Sequence, residues 1–252
     1  MEQDQLKQAW LHEQEIAHII GWDFSHIKGR YMEEEDLPWD YGQIVRGCLT
    51  DGKRLLDFDT GGGEFLLSLG HPAAMTAATE GYPPNVALCR KRLLPLGIDF
   101  RPCADPAGIP FPDAYFDIII NRHGDFVPQE IKRLLKPGGV FITQQVGRDN
   151  DRDLVRLVLP DAIMPFPQQT LEHQRRAFEQ EGFRILRAEE AYRPIHFYDI
   201  GAFVWFARII EWEFSGFSVE KCWERLLDMQ RTVEQEGKIS GTIHRFLIAA
   251  QK

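Results

Sequence analysis

The sequence has no CxxC pair. Its four cysteines, Cys48, Cys89, Cys103 and Cys222, are widely scattered, which argues against a zinc site or a redox dithiol and for free buried thiols. It also lacks a long hydrophobic run. The greasiest stretch, 200–210, is interrupted by Arg208 and falls short of the roughly 20 residues that cross a bilayer. The opening MEQDQLKQAW has neither the basic nor the apolar region of a secretory leader. Basic charge is in deficit, with 29 Lys and Arg against 38 Asp and Glu and a net charge of −9. That balance disfavours nucleic acid, whose affinity is mostly phosphate neutralisation. Repeats, low-complexity tracts and a Pro/Gly/Ser-rich linker are missing too. These absences lead us to expect one cytoplasmic domain spanning 1–252, a small-molecule partner, no nucleic acid, no membrane and no metal. A monomer or a homodimer is the default assembly.

What is present is globular: 44% apolar and 27% charged residues in 252, enough chain to bury a full core. Residues 1–20 read as a polar helix with Leu6, Trp10, Ile16 and Ile20 on one side. The aromatic and charged segment that follows reads as a loop. From Lys53, strands at 54–58, 75–79, 99–102, 117–121 and 140–146 alternate with helices at 63–69, 84–94 and 128–135. Further elements are a helix at 168–180, a strand at 185–192, helices at 197–210 and 219–236, and a closing strand at 242–250. Alternation of this kind specifies an α/β, doubly wound, mostly parallel sheet with helices on both faces; we expect seven strands. A cap over about 1–50 and a helical insertion over about 193–238 complete the domain.

The decisive stretch is RLLDFDTGGGEFL, 54–66. In an open parallel sheet the ligand lies at the carboxyl ends of the strands, so the loop after this first strand faces it. Gly61, Gly62 and Gly63 allow tight turning and close backbone approach. A dinucleotide would place pyrophosphate here and would want G-x-G-x-x-G. Instead the loop carries Asp57, Asp59 and Glu64, which crowd a phosphate. S-adenosylmethionine has no phosphate and bears a sulfonium and an ammonium, so the acids favour it over a nicotinamide cofactor. Glu80 ends the next strand, where an acid can accept both ribose hydroxyls; Gly81 and Tyr82 follow it, and Tyr82 can pack on adenine.

The linked segments LLDFDTGGGEF, ATEG, CADPAGIPFPDAYFDIIINRH and LKPGGVFITQQVG resemble the Rossmann-like (class I) S-adenosylmethionine-dependent methyltransferases, in order and spacing, over roughly 53–147. The flanks resemble an uncharacterised bacterial subgroup. The resemblance implies that Asp57 and the loop from Asp59 to Gly63 hold the methionine end, Glu80 takes the ribose, and Ala104 and Asp105 contact adenine. It also puts Asn121 beside the transferable methyl. One position departs: the family has glycine where this chain has Asp59, a residue that tolerates a left-handed backbone better than most.

Methyl transfer from a sulfonium is an in-line displacement that mainly needs alignment. A base is needed only when the acceptor must lose a proton, and His123 is the candidate; a structural histidine is the other reading. Arg122 can bind an anionic substrate or pair with Asp125. Gln144 and Gln145 close the fifth strand and can face the cleft or satisfy the backbone. Arg30, Trp39 and Tyr41 from the N-terminal cap, and Tyr198 from the later insertion, are the remaining substrate candidates. The expected function is methyl transfer to a small molecule. RNA base methylation and a catalytically inactive cofactor-binding protein stand as alternatives.

Overall fold

The computed structural model describes residues 3–19, 23–34 and 36–252. A single eight-stranded sheet organises it. The strands are β1 (Tyr31–Glu33), β2 (Leu55–Phe58), β3 (Thr76–Glu80), β4 (Asp99–Pro102), β5 (Phe116–Arg122), β6 (Leu135–Val146), β7 (Arg184–Phe197) and β8 (Ile239–Gln251). Their spatial order is β1-β7-β8-β6-β5-β2-β3-β4. Pairs from β4 through β6 are parallel, whereas β8, β7 and β1 are joined antiparallel. The expected α/β architecture is present, but with eight strands where seven were expected. The added strand is β1, only three residues long, whose Tyr31 pairs with Phe197. A strand that short carries too little alternation to register in a segment dense with charge.

The helices are α1 (Gln3–Ile16), α2 (Tyr41–Cys48), α3 (Glu64–Ser68), α4 (Pro83–Arg92), α5 (Pro128–Leu134), α6 (Arg152–Val158), α7 (Leu171–Gln180), α8 (Ile200–Ile209) and α9 (Trp223–Glu236). Helix α1 stops at Ile16, short of the expected 20, and Ile20 lies outside the described residues. Two helices escaped the sequence reading, α2 and α6. Both are short, and α2 contains Gly42 and Gly47, which depress helix propensity. Asp40 nonetheless starts it by accepting the Gln43 N–H at 2.9 Å.

The central strands are apolar on both faces because helices cover both. In β5, Ile118 and Ile120 enter the core under α2, α3 and α4, while Ile119 joins Leu56, Phe141, Phe178 and Phe246 on the other face. A third core lies beyond β7, where Phe197 packs with Phe203, Phe206 and Phe214 of α8 and its continuation, and α1 adds Leu6 and Trp10. Most aromatics of the later insertion are therefore core. Charge is also buried near this side: Arg152 stands 3.9 Å from Glu213, Arg245 binds Glu33 at 2.8 Å, and Asp151 accepts from Asn150 at 2.7 Å. No helix among the described residues is long and apolar enough to cross a membrane.

Candidate cofactor and acceptor site

The parallel strands β2, β3, β4, β5 and β6 bring their carboxyl ends to one border of the sheet. The chain leaves β2 through Asp59, whose φ of 60° is left-handed, a conformation that Asp tolerates better than most residues. Gly61 and Gly63 follow at φ 65° and 80°, conformations that side chains resist. Thr60 N–H donates to Thr79 O at 2.9 Å, which ties the loop to β3.

Three carboxyls converge here. Asp57 is buried and accepts the Thr60 hydroxyl at 2.5 Å. Burial raises its pKa to about 7; the Thr60 bond and Arg122 oppose the rise, and Asp59 and Glu80 add to it. Burial also raises Asp59, reinforced by the charge of Glu80 and a hydrogen bond to it, and by Asp125. Glu80 is buried and uses one oxygen, Oε1, to accept the N–H groups of Gly81 at 2.9 Å and Tyr82 at 2.8 Å. Glu64 points elsewhere, into an ion pair with Arg92.

Gly81 has a steric role. A Cβ there would sit 2.7 Å from Ala104 Cα and 2.8 Å from Cys103 O, so only glycine lets the ends of β3 and β4 close together. Ala104 and Asp105 are exposed on that rim, and Asp105 Oδ1 accepts the Ala107 N–H at 2.9 Å. Tyr82 is 53% exposed beside them, free to lie on a planar ligand.

Asn121, at the end of β5, is fully buried and acts as a bolt. Its Nδ2 donates to Phe58 O at 3.0 Å, and its Oδ1 accepts from Gln145 at 2.7 Å and Thr143 at 3.2 Å. Gln145 is spent in that network and also donates to Gly124 O at 3.0 Å. Its neighbour Gln144 faces the cleft instead and accepts the Trp39 indole N–H at 2.8 Å. His123 has φ 67°. The residue is exposed; partial desolvation of its imidazole, with Arg245 and Arg122 nearby, lowers its pKa below the ordinary value. It is neutral at pH 7. Gln144 Nε2 approaches its Nε2 at 3.4 Å.

Beside the loop lies an open cleft of about 760 Å³ whose lining includes Trp39, Tyr41, Arg46, Phe65, Arg122 and Gln144. Helix α2 opens with Tyr41, and Trp39 stands just before its N-cap. The buried Tyr41 hydroxyl reaches Asn121 O at 3.1 Å and Ile142 O at 3.2 Å, which locks the cap to β5 and β6. Arg46 and Phe65 are among the lining residues that the sequence did not single out; for Arg46 an N-cap at Asp40 followed by Tyr41, Ile44, Val45 and Cys48 was the available signal. Arg30 and Tyr198 stand apart from this cleft, at the β1–β7 margin. Arg30 forks onto Asp199 at 2.7 and 2.9 Å and reaches Glu13 at 2.8 Å. Tyr198 N–H donates to Arg30 O at 2.9 Å. Among the described residues no cluster suited to a metal ion occurs.

Comparison with known proteins adds a family. Residues 56–143 match the methyltransferase-domain family. Over 146 residues the chain is 29% identical to the ubiquinone/menaquinone biosynthesis C-methyltransferase UbiE of Ralstonia pickettii, covering 50% of this chain and 60% of that one. Over 101 residues it is 34% identical to a probable phthiotriol/phenolphthiotriol dimycocerosates methyltransferase of Mycobacterium ulcerans, covering 36% and 38%. The match thus spans less than two thirds of either relative. Among solved structures, a candidate methyltransferase of Bacillus halodurans superposes with a TM-score of 0.58 at 15% identity, covering 84% of this chain and 98% of that one. The YcgJ protein of Bacillus subtilis gives 0.57 at 18%, covering 84% and 97%. These likenesses are of fold.

Proposed function

Since the chain carries a methyltransferase domain of the Rossmann-like, S-adenosylmethionine-dependent family, we propose that it transfers a methyl group from S-adenosylmethionine to a small-molecule acceptor. One observation carries the reading: the left-handed glycine loop, the acid Glu80 and the Gly81–Ala104 contact meet at one border of the sheet. The residues fit that cofactor. The cradle at Gly81 excludes any Cβ, and Glu80, whose Oε1 takes two backbone N–H groups, can exchange its hydrogen bond with Asp59 for ribose hydroxyls. Asp57 and Asp59 offer negative charge to a cationic methionine end, Ala104 and Asp105 form an adenine rim, and Asn121 fixes the end of β5 beside the loop.

When bound, S-adenosylmethionine supplies a methyl already activated by its sulfonium. The chain's work is then alignment and exclusion of water. Trp39 and Tyr41 wall the acceptor side, and Gln144 holds Trp39 in place. His123, neutral at pH 7, is able to take a proton from an acceptor hydroxyl or amine. The relatives' names point to hydrophobic acceptors, and the partly aromatic cleft is compatible with one.

Calorimetry with S-adenosylmethionine, S-adenosylhomocysteine and NADH tests the reading. Binding of both sulfur nucleotides and not of NADH is expected; no binding of either sinks it. Binding without turnover across a broad acceptor panel would favour an inactive cofactor-binding protein. Glu80→Ala is expected to weaken binding by roughly 1.5–3 kcal/mol, the usual worth of a hydrogen bond to a charged group. Unchanged affinity would remove Glu80 from the ribose site.

A further inference from the structure

We propose that the cleft selects an acceptor that carries a carboxylate on a flat apolar body, and that Arg122 binds that carboxylate. This rests on the methyltransferase reading and names the substrate class of the same site. The cleft's volume of about 760 Å³ suits a small molecule. Trp39, Tyr41 and Phe65 give it aromatic walls. Its lining includes neither the glycines 61–63 nor Glu80 nor Asp105, so it is separate from the nucleoside positions.

Charge decides what such a cleft accepts. Arg122 is exposed at the end of β5, its guanidinium 5.0 Å from the centre of the Phe65 ring. That contact orients the plane and leaves the N–H edges unoccupied. Among the described residues the Arg122 guanidinium takes part in no hydrogen bond and no ion pair, though its charge is felt by the buried Asp57, whereas Arg30 and Arg133 in the same chain are bound by carboxylates. Across the cleft Arg46 adds a second cation, which donates to Ser68 O at 3.4 Å. The one carboxylate in the lining, Asp40, is engaged in capping α2. A guanidinium fork matches a carboxylate in shape and charge, and a planar body fits between the rings. A neutral acceptor would leave the Arg122 fork without a bidentate partner.

The test uses 1-naphthoate and its neutral counterpart 1-naphthamide as probes, titrated by calorimetry into the full chain saturated with S-adenosylhomocysteine. The wild type is expected to bind naphthoate at least tenfold more tightly than naphthamide. Arg122→Gln is expected to erase that preference while still binding S-adenosylhomocysteine, which also shows that the variant is folded. Arg122→Lys, which keeps the charge and loses the fork, is expected to fall between. Equal binding of the two probes by the wild type overturns the proposal. So does a preference that survives Arg122→Gln, and so does a loss confined to S-adenosylhomocysteine, which would assign the cation to the cofactor's own carboxylate. Failure of the wild type to bind S-adenosylhomocysteine at all is a different result, and it removes the functional reading beneath the proposal.

Discussion

Asp57 and Asp59 put the sharpest chemical demand on this molecule. The buried Asp57 and the half-buried Asp59 meet Glu80 where β2 and β3 end, and Asp57 holds its proton up to about pH 7. A cationic ligand is best served by the ionised form, so binding S-adenosylmethionine should expel a proton. The sign follows: affinity rises with pH between about 6 and 8, by up to about tenfold per pH unit for each proton released. S-adenosylhomocysteine lacks the sulfonium charge and should respond less. Calorimetry in two buffers of different ionisation enthalpy measures the proton directly; affinity that is flat across this window would refute the linkage. Asp59→Asn should remove part of the slope. At this scale the sequence was informative where chemistry is local. The left-handed Asp59 and the acid after the second parallel strand were legible because loop and strand end are fixed by short-range pattern. Glu64 was not: it belongs to Arg92, a partner 28 positions away, and no local pattern announces it. Gln144 and Gln145 differ by one residue and by one face of the strand, which only the register of β6 on β5 decides.

Among the elements, the close approach of β3 and β4 at Gly81 is the most exacting. Gly81→Ala has no room between Ala104 Cα and Cys103 O. We expect it to push the strand ends apart, costing about 1–3 kcal/mol of stability and most of the affinity for S-adenosylmethionine. Thermal denaturation and calorimetry on the same preparation check this, and a variant as stable and as tight as wild type would show that the rim is compliant. The long periodic helices and apolar strands were readable because burial on both faces writes itself into unbroken runs such as DIIIN. Helices α2 and α6 were not, since each is one or two turns held by tertiary contacts. Tyr41 makes the point: its hydroxyl is buried against β5 and β6, and that long-range bond positions a helix that its own glycines do not favour. Arg30 illustrates the converse. Its charge suggested a ligand, whereas Asp199 and Glu13 use it to pin α8 and α1 together.

For the whole molecule, buried acids set the response to pH. Burial raises Asp57 to about 7, Asp151 to about 8 and Glu213 to about 7, well above the ordinary carboxylate range. A folded state that keeps protons which the unfolded chain has released is favoured at low pH, and loses that advantage as pH rises through 7 to 8. Melting temperature should therefore fall as pH rises from about 5 to about 8 and level off above that. One proton corresponds to about 1.4 kcal/mol per pH unit, and a domain of this size loses roughly 2–4 °C per kcal/mol. Asp151→Asn should flatten the curve. We also propose that 1–252 unfolds as a single cooperative unit, with agreement of calorimetric and van't Hoff enthalpies as the check.

The three-residue strand β1 has a consequence of its own. Strand β7 is fourteen residues long and lies next to last in the sheet. A bare border of that length invites a strand from another molecule, the first step toward aggregation. Here β1 covers Ile195–Phe197, and the Glu34 N–H caps Pro194 O at 3.1 Å. The uncovered part carries Arg184, Arg187, Glu189, Glu190 and a register irregularity between Ile185 and Arg187. A short plug, a proline, a break in register and alternating charge together keep intermolecular β-pairing from starting where the sheet is most open to it.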